Sequence, residues 1–326
     1  MKTTDEDRHD PWHSGERQLH VLAGVADKMK QIGARVIRDY MPDQHREFFQ
    51  QLPFMVMGSV DTRGDAWTSI LTGHPGFVVS PEPRRLRVNS MPSTGDPACD
   101  SMQQGIALGM LGIELETRRR NRVNGVVSQI DEEGFDLTVE HSFGNCPQYI
   151  QKRNFSWVED EHQPRPSRFV ADKLNEATRR MIRQADTFFV ASYVDDSTNG
   201  KRSVDVSHRG GRAGFVHVEQ NRLTIPDFSG NFHFNTLGNF MVNPRAGLLF
   251  IDFETGDLLQ LTGQTELVLS GSTISRFKGA ERLWHLDVTH MIYRPAALPL
   301  RWSFTEWSPK SLQTGIWQED ENLSES

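Results

Sequence analysis

The segment Phe228 to Pro244, FSGNFHFNTLGNFMVNP, contains no Asp, Glu, Lys or Arg. It interleaves Asn231, Asn235, Asn239 and Asn243 with Phe228, Phe232, Phe234 and Phe240. Amides offer donors and acceptors, and phenyl faces offer stacking surface. That mix suits a flat, neutral heterocycle with a polar edge. It equally suits a packed connection whose Asn residues cap turns. A second stretch, residues 200–214, reads GKRSVDVSHRGGRAG. Strand alternation there places Arg202, Val204 and Val206 on one face and Ser203, Asp205 and Ser207 on the other. The Gly-rich turn then draws His208, Arg209 and Arg212 together. Arginine and hydroxyl groups are the usual phosphate partners, and Gly210 and Gly211 permit close backbone approach. An exposed hairpin with solvated arginines has the same composition. Neither GxxxxGK[ST] nor GxGxxG is present.

Two further features carry chemistry of a kind. Arg118, Arg119, Arg120 and Arg122 crowd five positions. They read as a phosphate or acidic-partner site, or as a solvated turn balanced by Glu114 and Glu116. Cys146 precedes Pro147 in NCPQYIQ. No Cys–His spacing marks it as a nucleophile, so it reads as structural. His9, His13, His20 and His45 show no metal-ligand spacing, and no metal site is expected.

The elements that must hold these residues repeat along the chain. FMVMGSVD at 54 matches FFVASYVD at 188, and GFVV at 76 matches GFVH at 214. GMLGIELE at 109 matches GLLFIDFE at 247, and Gly125 matches Gly263, both at an offset of 138. The order and near-constant offset read as a tandem duplication. Each copy opens on a helix, expected over Pro42–Gln51 in the first and Arg168–Gln184 in the second. Short β-branched and aromatic runs follow, separated by turn signals such as Thr62-Arg63-Gly64-Asp65 and Glu254-Thr255-Gly256-Asp257. Such spacing predicts an antiparallel barrel rather than βαβ units. The expected organisation is a helical extension over 1–41 with one helix from Gln18 to Tyr40. Copy one then spans 42–158, a charged, Pro-rich linker 159–167, copy two 168–310 and a tail 311–326.

Composition sets outer bounds. The chain has 326 residues, 37% hydrophobic, with a net charge of −7. About two domains fit that length. The acidic balance argues against a nucleic-acid coat protein. Two cysteines exclude a disulfide framework and a four-thiolate iron–sulfur site. The longest charge-free apolar stretch, Gly105 to Ile113, is far short of a transmembrane helix, and the N-terminal residues lack the apolar core of a signal peptide. A cytoplasmic protein with no membrane or nucleic-acid partner is expected.

RSVDVSHRGGRAGFV, LTIPDFSGNFHFNTLGNFMVNPRAGLLFIDF and GNCPQYIQKR together resemble the pyridoxamine 5′-phosphate oxidase-related, FMN-binding split-barrel flavoproteins. GDAWTSILTGHPGFV and TRRRNRVNG match the duplicated members of that superfamily. The resemblance covers residues 45–290. It implies a mainly β fold with flanking helices, built as two tandem split barrels that form a pseudo-dimer around FMN. It places Arg202, Ser203, Val204, Asp205 and Ser207 on the strand that lies along the flavin, with Arg202 on the phosphate and Ser207 where the family has Lys. Ile225, Pro226 and Asp227 stand in place of a Tyr-Thr pair against FMN. Asn235 and Thr236 stand in place of a phosphate-binding Arg-Lys pair. That departure leaves the phosphate to Arg202, Ser207, Arg209 and the amides of Asn231 and Asn239. A flavin-contacting Gln falls at Gln260. Copy one lacks the Asn/Phe segment, so its site is expected to be degenerate.

The implied activity is FMN-dependent two-electron transfer between a small-molecule substrate and flavin. Pyridoxamine phosphate recognition residues have no match. NAD(P)H, a separate reductase or the substrate itself must supply electrons, because reductase and ferredoxin modules are absent. No catalytic acid or base is assigned; His208 and His233 are the nearest titratable groups. A non-catalytic flavin- or haem-binding split barrel is the alternative, and a homodimer is compatible with either.

Overall fold

The structure, a computed structural model, describes residues 10–158, 167–195 and 200–317. All but Ser167 of the expected linker lies outside the described residues, as do Thr198 and Asn199, which with Gly200 read as a turn signal in the sequence. The chain opens with three helices, α1 (Ser14–Leu22), α2 (Ala26–Val36) and α3 (Asp43–Gln50). The single helix expected over 18–40 is therefore two. The break falls at Gly24, whose φ of 68° lies in the left-handed region that ends helices. His13 caps α1 through a reciprocal pair with Glu16. In α3, His45, Phe48 and Phe49 bury one face at helical spacing.

The first sheet comprises β1 (Phe54–Val60), β2 (Ala66–Thr72), β3 (Val78–Glu82), β4 (Arg85–Val88), β5 (Ala107–Glu114), β6 (Arg119–Ile130) and β7 (Phe135–Gly144). β8 (Lys152–Trp157) and β9 (Phe169–Ala171) follow, then α4 (Glu176–Gln184). The helix expected from Arg168 thus starts eight residues later, at an Asn175–Thr178 capping box, because Phe169–Ala171 pairs with a strand instead. The second sheet holds β10 (Thr187–Asp195), β11 (Arg202–Gly210), β12 (His217–Glu219), β13 (Arg222–Phe228), β14 (Arg245–Ile251), β15 (Leu258–Val268) and β16 (Ala280–Arg294). Helix α5 (Asn235–Val242) lies between β13 and β14, and α6 (Ser272–Ser275) between β15 and β16. β17 (Leu300–Glu306) leaves the second sheet and pairs with β8.

The chain is mainly β, and its two principal sheets share one strand order. The first runs β2-β1-β5-β6-β7-β4-β3 and the second β11-β10-β14-β15-β16-β13-β12. Even the register faults coincide: pairing slips at Asn124/Gly125 in β6 and at Thr262/Gly263 in β15.

Strand alternation explains why β1, β5, β10 and β14 read as unbroken apolar runs. Met55 and Met57 enter the first sheet's own core, whereas Phe54 and Val56 join a cluster shared with the second. Leu248 and Phe250 enter the second core, whereas Leu249 and Ile251 join that shared cluster. Both faces are buried, so no polar alternation survives. The sheets touch at backbone distance. A Cβ at Gly109 would lie 2.7 Å from the Val204 carbonyl oxygen, and one at Gly247 2.4 Å from that of Ala66. Thr68 Oγ1 donates to the Gly247 carbonyl across the same contact at 2.7 Å.

Candidate functional site

A cavity open to solvent lies where the sheets meet, and residues of both line it. The first sheet contributes β6. Alternation turns Arg120, Arg122 and Asn124 toward the second sheet, while Arg119 turns back over the Phe48 ring at 4.6 Å. Arg122 is buried. Its Nη1 donates to Asp205 Oδ1 at 3.1 Å and to Asn235 Oδ1 at 2.8 Å, and its Nη2 donates to Ser207 Oγ. Ser207 Oγ meets Thr236 Oγ1 at 2.8 Å. The Nε of Arg122 is buried without a protein partner.

Helix α5 begins inside this cluster, and its first three residues, Asn235, Thr236 and Leu237, line the cavity. Its cap is Phe234, in a left-handed conformation with no side-chain hydrogen bond. The first intrahelical bond is Gly238 N to Phe234 O. The N–H groups of residues 235–237 therefore have no protein acceptor among the described residues. Open N–H groups, the positive end of a helix dipole, a buried guanidinium paired with Asp205 and two hydroxyls thus meet at one place, and groups of these kinds favour anions.

Aromatic rings wall the remainder. Tyr149 stacks on Phe228 with centroids 5.1 Å apart, and its hydroxyl donates to the Ser229 carbonyl at 3.0 Å. Phe232 and Phe234 meet edge to face. Tyr149, Phe232 and Phe234 have φ of 64°, 60° and 55°, a region bulky residues rarely enter. Strained backbone of this kind clusters at ligand sites. Arg209 and Arg282 both donate to Asp227, at 2.7 and 3.1 Å, and Arg282 also lies over the Phe234 ring at 4.8 Å. Buried atoms without a protein partner persist on several lining residues: Asn145 Oδ1, His208 Nε2, Arg209 Nε and His233 Nδ1. Donors and acceptors are both left open.

Helix α1 backs the wall. Asn235 Nδ2 donates to Glu16 Oε1 at 2.6 Å, and His20 Nε2 meets the Phe232 carbonyl at 2.9 Å. Burial raises the Glu16 carboxyl to about 8. Burial also lowers His13, His45 and His233 to about 4 each, and holds His208 well below its ordinary value, with Arg120, Arg153 and Arg209 adding to the effect. The signs oppose. Between pH 4 and 6.5 the folded state binds fewer protons at these histidines than the unfolded chain, so stability rises with pH. Glu16 binds its proton more tightly when folded, so its contribution is lost as pH rises from 4.5 through 8. The several histidines outweigh one carboxyl below 6.5; above it Glu16 acts alone. Stability therefore peaks near pH 6.5 and declines toward 8 by at most about 1.4 kcal/mol per unit. Denaturant midpoints of Glu16→Gln should show no such alkaline decline; a decline equal to the parent's would remove Glu16 as its cause.

Of the residues expected at the cofactor, Ser207, Pro226, Asp227, Asn231, Asn235 and Thr236 line the cavity. Asp205 stands behind it, bound to Arg122. The others lie elsewhere. Arg202 is at the far end of β11, paired with Asp195 at 2.7 Å and lying over the Tyr193 ring. Val204 and Ile225 point into apolar clusters. Ser203 and Asn239 border a neighbouring recess, and Asn239 Nδ2 donates to Ser192 Oγ. Gln260 is fully buried, donating to the Thr68 carbonyl and to Asp96 Oδ2. It holds in β15 the place Arg122 holds in β6. There the corresponding space is filled by a buried Arg294–Asp96 pair at 2.7 Å.

From sequence the Arg118–Arg122 run stays open between a phosphate or acidic-partner site and a solvated turn, and Arg120 and Arg122 are not among the expected cofactor residues. The repeat held the missing signal. At the offset that matches Gly125 to Gly263, Arg120 and Arg122 fall on Leu258 and Gln260, inside a recognised strand. Tyr149 and Arg282 had no such signal, since only tertiary packing brings them here.

Among the described residues no helix is long and apolar enough to cross a membrane, and no cluster of metal-ligating side chains occurs. No protein-family profile matches the chain, and no curated protein matches it. Three solved structures give the scale of the likeness that exists. HupZ of Group A Streptococcus is 14% identical, covering 35% of this chain and 89% of its own, with a TM-score of 0.27. A candidate pyridoxamine 5′-phosphate oxidase of Lactobacillus delbrueckii is 12% identical over 37% of this chain and 94% of its own, with a TM-score of 0.28. The Bacillus subtilis motility inhibitor MotI is 6% identical over 74% of this chain and 87% of its own, with a TM-score of 0.20.

Proposed function

We propose that the two sheets are two copies of a split barrel packed as a pseudo-dimer, and that the cavity between them holds FMN for two-electron transfer with a small-molecule substrate. The observation that carries this reading is the uncapped N-terminus of α5, which meets Arg122, Ser207 and Thr236 at one side of an aromatic-walled cavity. A phosphate needs the first part and a planar heterocycle needs the second. The cation missing at positions 235–236, where the resembled family has Arg-Lys, is supplied by Arg122 of the other copy, whose Nη1 reaches Asn235 Oδ1.

The residues fit the group. Arg122, Ser207, Thr236 and the α5 N–H groups would hold the phosphate. Phe228, Phe232 and Tyr149 would cover the ring and exclude water. The open polar atoms on Asn145, His208 and His233 would meet its polar edge. His208 and His233 are neutral at pH 7, so they offer hydrogen bonds rather than charge. FMN, when bound, supplies reversible hydride chemistry that no side chain here provides. Electrons come from NAD(P)H, a separate reductase or the substrate.

The absorption spectrum tests this reading. Protein equilibrated with FMN and desalted should be yellow, with one flavin per chain; colourless protein that takes up no FMN overturns it. A Soret band would assign the cavity to haem instead. The position of Arg202 yields a separate expectation. Arg202→Ala, made at an exposed pair worth about 0–1 kcal/mol, should leave FMN affinity unchanged. A drop of tenfold or more would return the phosphate to that end of β11.

A further inference from the structure

Among the described residues Arg120 is the one cavity arginine without a carboxylate partner. Arg122 is paired with Asp205, and Arg209 and Arg282 share Asp227. Arg120 has no carboxylate within ion-pair distance among the described residues. Among the described residues its side chain makes one hydrogen bond, from Nε to the Cys146 carbonyl at 2.9 Å, which fixes the guanidinium plane and leaves both terminal nitrogens open. Arg120 lines the cavity. A guanidinium held by Nε with a free terminal edge is the geometry of bidentate carboxylate recognition.

The surroundings narrow the ligand. His208, with Nε2 buried and unpartnered, and the Tyr149–Phe228 stack lie in the same cavity. Burial and the neighbouring Arg122 cation press the Arg120 guanidinium down to about 9, a cost that an arriving anion removes. The α5 N-terminus, Arg122 and the two hydroxyls already form a complete set for one phosphate. Arg120 therefore serves a second anionic group.

We propose that Arg120 is the anchor for the substrate, and that the substrate is a small aromatic or otherwise planar carboxylate bound beside the Tyr149–Phe228 stack. This assignment rests on the FMN reading only in giving the phosphate to Arg122. Two residues apart on one face of β6, Arg122 and Arg120 would then divide cofactor from substrate.

Benzoate is the probe, with benzamide as its uncharged isostere and FMN titrated in parallel. Benzoate should raise the thermal midpoint of the FMN-equilibrated protein in a saturable manner, and benzamide should not. Arg120→Gln should weaken the benzoate response at least tenfold while changing FMN affinity less than twofold. Arg120→Lys, which keeps charge but not the fork, should retain part of it. Equal responses to benzoate and benzamide overturn the proposal, as does an Arg120→Gln protein that binds benzoate normally. Loss of FMN affinity in Arg120→Gln overturns it as well, by moving Arg120 into the phosphate set. If the parent binds benzoate through Arg120 but takes up no FMN, the cofactor reading fails and the carboxylate site stands.

Discussion

Replacing Arg122 with methionine is expected to destabilise the fold by about 3 kcal/mol and, on the proposed assignment, to weaken FMN retention roughly 100-fold. The first effect follows from burial. Arg122 and Asp205 each expose only 7% of their side chains, so removing the cation strands a carboxylate out of water. The loss sits at the low end for a broken buried pair because Ser207 Oγ and Asn124 Nδ2 still donate to Asp205. The second effect follows from chemistry: a charge-assisted bond to phosphate disappears from a site whose remaining donors are neutral. A companion variant separates the two. Arg122→Met combined with Asp205→Leu removes both charges and should regain most of the stability, since apolar replacement of a buried pair is often neutral or better. FMN affinity should stay as low as in the single variant. Urea denaturation and flavin fluorescence titration read the two quantities independently. Recovery of FMN binding in the double variant would show that Arg122 acts only by compensating Asp205.

Arg122 also shows how far the sequence carries. The strand train of the second sheet was legible because β-branched and aromatic runs alternate with turn residues, and the matching strand order of the first follows from the repeat. Local signals stop short at Phe169, which falls inside the helix expected from Arg168 but instead pairs with Tyr293. Tertiary pairing overrode propensity there. Half of the expected site lies in the cavity because it resides in contiguous segments, 226–227 and 231–236, whose composition is distinctive. Arg202 lies outside the cavity because a strand motif fixes which face a residue takes but not which end of the strand meets the other sheet. The charged half of the site was hidden for a deeper reason. Arg122 lies on the first sheet, whereas its partners Asp205 and Ser207 lie on the second and Asn235 on α5, so no local pattern joins them.

The contact between the two sheets has its own signature, and it yields the second large effect. Gly247→Ala should lower stability by about 3 kcal/mol, the upper end of ordinary overpacking. The added Cβ would sit 2.4 Å from the Ala66 carbonyl oxygen and 2.5 Å from the Trp67 Cα. Both obstacles are backbone, so no side-chain rotation relieves the clash. The sheets must separate, exposing part of the apolar cluster shared by Phe54, Phe189 and Leu249. Reduced freedom of the unfolded chain returns only about 0.4–1 kcal/mol. Gly109→Ala, at the matching position of the first sheet, should act in the same direction with a smaller loss, because its nearest obstacle is 2.7 Å away. Gly230→Ala is the control: its Cβ would meet nothing closer than 3.9 Å, so its midpoint should stay within about 0.5 kcal/mol of the parent. The ranking, 247 then 109 then 230, comes from backbone proximity across the sheet contact alone. A Gly247→Ala protein as stable as Gly230→Ala would mean that the two sheets do not pack at the distance that closes the cavity. The site built from Arg122 on one sheet and α5 on the other would fall with it.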